Sequence, residues 1–171
     1  DIERLNKITK RFSKIGSIPE LLKEDVNAVL NSSVNYLKKR SSSLVNFTFN
    51  PSRETAFSPL NKTLFEWVIE NLVKNSIDSM NGSGNIIISI FNNNNEIKIL
   101  VTDDGNGIPP KIQKKIFNSG FTSKKKGWGL GLSLSKRIIN QYHNGKIFIK
   151  ESDRKKGTTI EIKLPVFKEN S

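Results

Sequence analysis

Apolar residues recur along the chain with two different periods, and these periods predict alternating helices and strands. Apolar spacings of three and four residues predict helices over 1–15, 26–37, 64–80 and 130–143. Strict alternation predicts strands over 44–49, 84–91, 96–105, 145–152 and 157–166. A short helix is expected over 108–117, after a double proline. This order predicts an α+β, two-layer sandwich with helices covering one face of a mixed, mostly antiparallel sheet.

The first helix carries an apolar stripe that is already in progress at the start of the sequence. The stripe consists of Ile2, Leu5, Ile8, Phe12 and Ile15. Such a stripe often packs against another helix, and Gly16 and Pro19 are expected to end it. We therefore expect residues 1–22 to be the truncated end of a longer helical stalk and residues 23–171 to form the main domain. The polar, glycine-bearing segment 118–127 is expected to be a mobile loop.

The amino-acid composition limits the kinds of binding partner to a few classes. The chain of 171 residues has no cysteine, so it has neither a disulfide framework nor a thiolate zinc site. It has 28 basic and 16 acidic residues, and the net charge of +12 suits nucleic acid, a membrane surface or a phosphorylated small molecule. A solvated, lysine-rich surface is the alternative. Because Phe65, Trp67 and Phe91 are assigned to the core, no aromatic and basic surface is left for nucleic acid.

Three alternating glycines precede the helix predicted over 130–143. Gly127, Gly129 and Gly131 do not follow a strand, which argues against a dinucleotide-binding fingerprint, and no P-loop motif is present. A glycine-rich entry into a helix exposes N–H groups that bind phosphate, and the preceding lysines, 124–126, add positive charge. A flexible linker with solvated lysines is the alternative.

Two further clusters suit a nucleotide. Asp103 ends a predicted buried strand, where its carboxylate would accept a hydrogen bond from an exocyclic amine, while Gly105 and Gly107 leave room for a flat ring. An ordinary Asp-Gly turn is the alternative. Asn71 and Asn75 share one face of their helix, where semi-buried amides need partners. A magnesium ion that bridges phosphates would be such a partner, and two structural asparagines are the alternative.

Taken together, the motifs resemble the conserved boxes of sensor histidine kinases. ENLVKNSID, DDGNGI, IFNSGFTSK and GWGLGLSL follow in the order of the N, G1, F and G2 boxes, and GTTIEIKLP resembles the G3 element. The resemblance covers about residues 23–167. It places the chain in the superfamily that includes DNA gyrase B, Hsp90 and MutL. It implies a Bergerat-type ATP-binding fold that uses ATP and Mg²⁺, with a lid at about 111–128.

The resemblance also implies a role for each matching residue. Asn75 would bind Mg²⁺ and Asn71 would lie beside it on the phosphates; these two are the expected catalytic residues. Asp103 would bind the adenine amino group, and Phe117 and Phe121 would anchor the lid. The implied ATP-binding residues are Asn71, Lys74, Asn75, Asp78, Asp103, Gly105, Gly107, Ile108, Phe117, Thr122, Ser123, Lys124, Gly127, Gly129, Leu130, Gly131, Leu132 and Thr158.

Two details refine these implied roles. Strand alternation places Thr158, and not Thr159, on the inward face with the adenine pocket. Trp128 departs from the family pattern, which has a small polar residue at this position.

One position separates kinases from hydrolases within this superfamily. Gyrase-like hydrolases carry a glutamate that activates water where this chain has Asn71, whose amide cannot act as a base. Glu70 is directed about 100° away around the helix. We therefore expect transfer of the ATP γ-phosphate to a histidine, with a gyrase-like or MutL-like hydrolase or a non-catalytic nucleotide-binding module as alternatives. His143 is the only histidine, and the resemblance implies that it is not the acceptor.

The resemblance implies the following partners and setting. The acceptor histidine would lie on an upstream dimerisation hairpin, and the phosphate would pass to the receiver domain of a response regulator. The full-length protein would be a homodimer, and no nucleic acid is expected as a partner. The chain would be a cytoplasmic domain of a membrane-bound prokaryotic sensor.

Overall fold

A computed structural model of the chain describes residues 18–118 and 131–169. The strands are β1 (Leu22–Asp25), β2 (Val45–Asn50), β3 (Phe57–Leu60), β4 (Gly84–Asn92), β5 (Glu96–Asp103), β6 (Lys146–Asp153) and β7 (Gly157–Pro165). The helices are α1 (Val26–Arg40), α2 (Lys62–Ser79), α3 (Pro110–Gln113) and α4 (Gly131–Arg137), and a π-helical turn (Ile138–Tyr142) follows α4. The predicted helix over 1–15 and most of the predicted loop over 118–127 lie outside the described residues.

The described strands form one large mixed sheet and one small sheet. The large sheet has the order β2-β4-β5-β7-β6, in which β2 runs parallel to β4 and the other neighbours are antiparallel. Its register places Asp103 at the end of β5 directly opposite Thr158 near the start of β7. In the small sheet β1 pairs with β3. The large sheet therefore joins two residues that lie far apart in the sequence.

The core lies between one face of the large sheet and the helices. Alternate strand residues point inward, and apolar side chains of α1 and α2 pack against them. The inward residues of the central strands are Ile86, Ile88, Ile90, Ile97, Ile99, Val101, Ile160, Ile162 and Leu164. This arrangement confirms the predicted α+β sandwich with one covered face. Of the helices in the described ranges, none is long and apolar enough to cross a membrane.

Helix α2 carries the two asparagines singled out in the sequence. It begins after Asn61, whose side-chain oxygen accepts the N–H of Leu64 at 3.1 Å and so caps the helix. It ends at Ser79, and the next turn contains Asn81 and Gly82 with positive φ angles of 55° and 89°. The chain can therefore turn directly into β4 at the end of the helix.

The structure corrects several predicted boundaries. Strands β1 and β3 were not predicted, because each has only four residues and β3 contains Pro59. Helix α4 gives way to a π-helical turn after Arg137, whereas one helix was predicted over 130–143. Helix α3 spans Pro110–Gln113 and not the whole of 108–117.

The assignment of Phe91 to the core was wrong. Ile86, Ile88 and Ile90 point inward from β4, so Phe91 points to the other face of the sheet and is 54% exposed. The assignments of Phe65 and Trp67 are confirmed, since they are 0% and 8% exposed.

Candidate functional site

The centre of the site is the carboxylate of Asp103, which is only 5% exposed. Its Oδ1 atom accepts the backbone N–H groups of Gly105 at 2.9 Å and Thr158 at 3.3 Å, and the side chain of Ser76 also hydrogen-bonds to it. Burial raises the pKa of Asp103 above its usual range, although these hydrogen bonds oppose the rise. The hydrogen bonds within the protein thus do not fully offset the cost of burying this charge. A hydrogen-bond donor on a ligand would stabilise it further.

Thr158 lies on the inward face, as the strand alternation predicted, and it is next to this carboxylate. Its hydroxyl is hydrogen-bonded to Ser152 across the sheet at 2.8 Å, and Ser152 also accepts the backbone N–H of Ile108 at 2.7 Å. Thr159 points to the opposite face, where its hydroxyl lies 2.9 Å from that of Thr102. A polar network therefore joins β6, β7 and the segment after β5 beside Asp103.

Gly105 and Gly107 allow the segment after β5 to pack closely against its neighbours. A Cβ atom on Gly105 would overlap the side chain of Ser79 and lie 2.7 Å from its carbonyl oxygen. Gly107 has a φ angle of +75°, and a Cβ there would lie 2.6 Å from the carbonyl oxygen of Asp153. The space at both glycines is thus needed for packing against protein, and the expected room for an adenine ring stays a prediction.

Helix α2 carries four of the predicted residues and contacts Asp103 through a further residue, Ser76. Asn71 and Asn75 are both half-buried, as expected, and Ser76 links the same helix directly to the Asp103 carboxylate. Lys74 is mostly exposed, and its Nζ atom lies 3.4 Å from a carboxylate oxygen of Glu70. In this pair Lys74 is exposed and Glu70 is partly buried. Asp78 is exposed in its last turn.

The start of α4 packs directly against Asn71. A Cβ atom on Gly131 would lie 2.6 Å from Oδ1 of Asn71. The amide nitrogen of Asn71 donates to the hydroxyl of Ser135 at 3.2 Å, and that hydroxyl donates to the carbonyl of Gly131 at 2.8 Å. Leu132 is partly buried against the core. The glycine at 131 is therefore required for the close approach of α4 to α2.

The predicted lid is described only in part. Phe117 is half-buried and packs against the hydrophobic core. The other predicted contacts of the lid and the glycine-rich segment lie outside the described residues. These are Phe121, Thr122, Ser123, Lys124, Gly127, Trp128, Gly129 and Leu130.

Sequence reasoning missed four serines that hold the site together. They are Ser76, Ser79, Ser135 and Ser152. For Ser76 a signal was present, because it lies four residues after Leu72 and four before Met80, and therefore on the buried face of α2. A hydroxyl on a buried face must find a partner.

His143 is buried, and both of its ring nitrogens are hydrogen-bonded within the protein. It is 1% exposed, its Nε2 atom accepts the backbone N–H of Asn61 at 3.1 Å, and its Nδ1 atom lies 2.9 Å from the carbonyl oxygen of Ile138. Nδ1 must carry the proton, because a carbonyl oxygen can only accept. Burial lowers the pKa of His143. The ring is therefore neutral and engaged at both nitrogens, which agrees with the expectation that it does not accept phosphate.

The chain is similar to a family of ATPases and to bacterial sporulation kinases. The family described as histidine kinase-, DNA gyrase B-, and HSP90-like ATPase matches residues 61–168. Sporulation kinase C of Bacillus subtilis (strain 168) is 30% identical over 160 residues, which are 90% of this chain and 34% of that kinase. Sporulation kinase A of the same organism is 38% identical over 98 residues, which are 57% of this chain and 16% of that kinase. The chain therefore spans about a third or less of these curated relatives.

Solved structures share the fold. The catalytic domain of histidine kinase ThkA, in a nucleotide-free form, matches with a TM-score of 0.77 and 27% identity over 86% of this chain and 96% of that domain. ThkA in complex with the response regulator protein TrrA matches with a TM-score of 0.76 and 24% identity, over 97% of this chain and 48% of that one.

Proposed function

This chain belongs to the family of histidine kinase-, DNA gyrase B- and HSP90-like ATPases, and from that premise we propose that it transfers the γ-phosphate of ATP to a histidine on a helical hairpin of a larger sensor kinase. One observation supports this proposal most directly. Helix α2 hydrogen-bonds the buried Asp103 through Ser76, and it hydrogen-bonds Ser135 of α4 through Asn71. The residue suited to binding adenine, Asp103, and the residue suited to the phosphates, Asn71, are thus connected through one helix.

At the adenine end, Asp103 is the residue that recognises the base. Its buried carboxylate accepts hydrogen bonds from the N–H groups of Gly105 and Thr158 through Oδ1. Burial raises its pKa, and a further hydrogen bond from the exocyclic amine of adenine would stabilise the charged form. Glu and Asp accept from amino groups, whereas the carbonyl group of a guanine at the same position would be repelled. The site therefore favours ATP over GTP.

At the phosphate end, the residues present suit a magnesium ion that is shared with the nucleotide. Asn71 and Asn75 offer amide oxygens, which Mg²⁺ accepts as ligands, and Asn75 is the residue that would hold it. Within the described residues no group of three acidic or histidine side chains could bind a metal alone. Phosphate oxygens and water would therefore have to complete its coordination. When bound, Mg²⁺ would neutralise part of the phosphate charge.

The chemistry of the site favours transfer over hydrolysis. Asn71 cannot take a proton from water. The adjacent carboxylate on α2, that of Glu70, is paired with Lys74 at 3.4 Å and is directed about 100° away from Asn71 around the helix. Phosphoryl transfer needs mainly positioning and stabilisation of charge, which hydrogen-bonded amides and backbone N–H groups can supply. A gyrase-like hydrolase is the alternative from within the same family, and a non-catalytic nucleotide-binding module is the other.

The partners follow from the proposed reaction. His143 is buried and neutral, so the acceptor histidine must come from another part of the full-length protein. We assign it to a dimerisation hairpin, of which residues 1–22 would be the end, in a homodimeric, membrane-bound sensor. The phosphate would then pass to the receiver domain of a response regulator. ThkA, which has the same fold, has been crystallised with the response regulator TrrA.

A transfer assay tests this function. The chain is incubated with γ-labelled ATP and Mg²⁺, alone and with the purified hairpin of its full-length protein. A hairpin in which alanine replaces the acceptor histidine serves as the control. We expect label on the intact hairpin only, because the chain offers no accessible histidine.

Each of the other outcomes has a definite meaning. Label on the chain alone would contradict the assignment of the acceptor. Release of phosphate without a hairpin, at a rate similar to that of transfer, would favour the hydrolase. Binding of ATP without either reaction would favour the non-catalytic module.

A further inference from the structure

A short chain of hydrogen bonds joins α2 to the start of α4 inside the protein. It runs from the amide of Asn71 to the hydroxyl of Ser135, at 3.2 Å, and from that hydroxyl to the carbonyl of Gly131, at 2.8 Å. Ser135 is completely buried. The hydroxyl therefore has no contact with solvent, and its two partners fix its orientation.

The proton of Ser135 decides which way the amide of Asn71 points. A hydroxyl has one hydrogen, and the carbonyl of Gly131 can only accept, so at 2.8 Å that hydrogen lies between Ser135 and Gly131. Ser135 can then only accept from Asn71, and only the Nδ2 end of the amide can donate. The opposite rotamer would place two acceptors, Oδ1 and Oγ, against each other without a proton. Ser135 thus turns the nitrogen of Asn71 toward itself and the oxygen away.

The side-chain oxygen of Asn71 lies at the N-terminus of α4. Oδ1 is the atom nearest to where a Cβ on Gly131 would stand, at 2.6 Å. An amide oxygen repels a phosphate oxygen but suits a metal ion or a water bound to it. The orientation therefore matters for what Asn71 can do at the phosphates.

We propose that Ser135 is a positioning residue that holds the side-chain oxygen of Asn71 toward the Mg²⁺ side of the nucleotide phosphates. The proposal rests on the proposed function, since it concerns the same site. Ser135 would not touch the nucleotide. It would act through Asn71, in the way that residues behind a metal site orient the ligands in front of them.

The test measures how much Mg²⁺ strengthens nucleotide binding. A non-hydrolysable ATP analogue is titrated calorimetrically into wild-type protein and into Ser135→Ala, each in excess Mg²⁺ and in excess chelator. We expect the factor by which Mg²⁺ tightens binding to fall about tenfold in the variant, as for other residues behind metal sites. Affinity in chelator should change less than twofold.

The chain offers a matched control. Ser89 on β4 also accepts a hydrogen bond from an asparagine amide, that of Asn50, at the same distance of 3.2 Å but on the exposed face of the sheet. Ser89→Ala should leave both affinities unchanged. Ser135→Cys nearly keeps the volume of the side chain and weakens both hydrogen bonds, so it should fold and show a loss of the same sign.

A cycle of mutations separates positioning from mere structural support. If Ser135 acts through Asn71, Ser135→Ala should have no further effect on the Mg²⁺ dependence in an Asn71→Ala background. A loss of affinity by equal factors with Mg²⁺ and with chelator would overturn the inference and leave the proposed function standing. An equal affinity of the wild type in both conditions would also overturn it. If the folded wild type binds no nucleotide in either condition, the proposed function fails as well.

Discussion

The carboxylate of Asp103 on β5 accepts the backbone N–H of Thr158 on β7, which lies directly opposite it in the sheet. This contact seals one side of the carboxylate with protein and ties it to the register of two central strands. Because Gly105 donates to the same oxygen, the orientation of the carboxylate is set before any ligand arrives. A site that is organised in this way loses little entropy when it binds.

The first prediction concerns Asp103→Asn. The amide oxygen can still accept from Gly105 and Thr158, so the fold should be retained. The new NH₂ group would face the amino group of adenine and repel it. Hydrogen bonds to charged groups contribute about 1.5–3 kcal/mol, so affinity for ATP should fall roughly tenfold to a hundredfold in calorimetry.

Asp104→Asn is the control for this variant. Asp104 is exposed, and its oxygens accept from the backbone and the side chain of Asn85 at 3.0 and 2.8 Å, which lowers its pKa. The variant should change ATP affinity less than twofold. Equal losses of affinity in the two variants would contradict the proposed role of Asp103 in binding adenine.

The second prediction concerns Gly157, which precedes Thr158. Gly157 has a φ angle of +91°, and a Cβ there would overlap the carbonyl oxygen of Asp103. Gly82 has nearly the same φ angle, +89°, but a Cβ there would meet nothing within 4 Å. Gly82→Ala should therefore cost only the backbone strain, about 1–2 kcal/mol.

Gly157→Ala should lower the free energy of unfolding by more, since the overlap adds to the same strain. We expect an additional loss of at least about 1 kcal/mol, measured by urea unfolding. If the two variants lost equal stability, the close approach of Gly157 to Asp103 would not be confirmed.

The third prediction concerns the pH dependence of stability. Burial lowers the pKa of His143 in the folded protein, so between that pKa and the unfolded value of about 6.5 the unfolded chain binds more protons. The contribution of His143 to the free energy of unfolding is therefore fully present above the unfolded pKa, and it is lost as the pH falls below that value. The raised pKa of Asp103 changes stability in the opposite sense, so the contribution of His143, the only histidine, is measured by urea unfolding between pH 5 and 8 as a difference between the wild type and a variant without the ring.

His143→Gln removes the titrating ring. In this variant the free energy of unfolding should vary less between pH 5 and 7 than in the wild type, whose slope approaches about 1.4 kcal/mol per pH unit for one proton. Parallel profiles for the two proteins would show that His143 is not the group responsible.

The fourth prediction concerns the two phenylalanines that the sequence did not distinguish. Phe65 is completely buried in the core, whereas Phe91 is 54% exposed on the other face of the sheet. Phe65→Ala should lower the free energy of unfolding by about 3–5 kcal/mol. Phe91→Ala should change it by about 0.5 kcal/mol or less. A large loss for Phe91→Ala would indicate that the uncovered face of the sheet is packed in solution.

Much of the fold could be predicted because its elements have strong periods. The alternation in β4, β5 and β7 and the helical period in α2 are set by burial on one side, and their positions were predicted to within a few residues. The short strands β1 and β3 could not be predicted. They are held by contacts far away in the sequence, such as the hydrogen bond from Ser58 to the carbonyl of Pro165 at 2.7 Å.

The candidate site divides in the same way. Thr158 could be placed on the inward face from alternation, and Asp103 at the end of its buried strand, and the structure sets the two opposite each other. Phe91 was misplaced because an aromatic residue was assumed to be buried, although the alternation of β4 pointed it outward. The role of Ser135 depends on where α4 packs against α2, which no local pattern reveals.

We propose that the residues around Asp103 and Asn71 bind one adenine nucleotide together with Mg²⁺. The decisive experiment is calorimetric titration of the folded chain with a non-hydrolysable ATP analogue and Mg²⁺. We expect one analogue bound per chain, with binding weakened by Asp103→Asn and not by Asp104→Asn. A chain that keeps its circular dichroism spectrum and cooperative unfolding but takes up no analogue would contradict it.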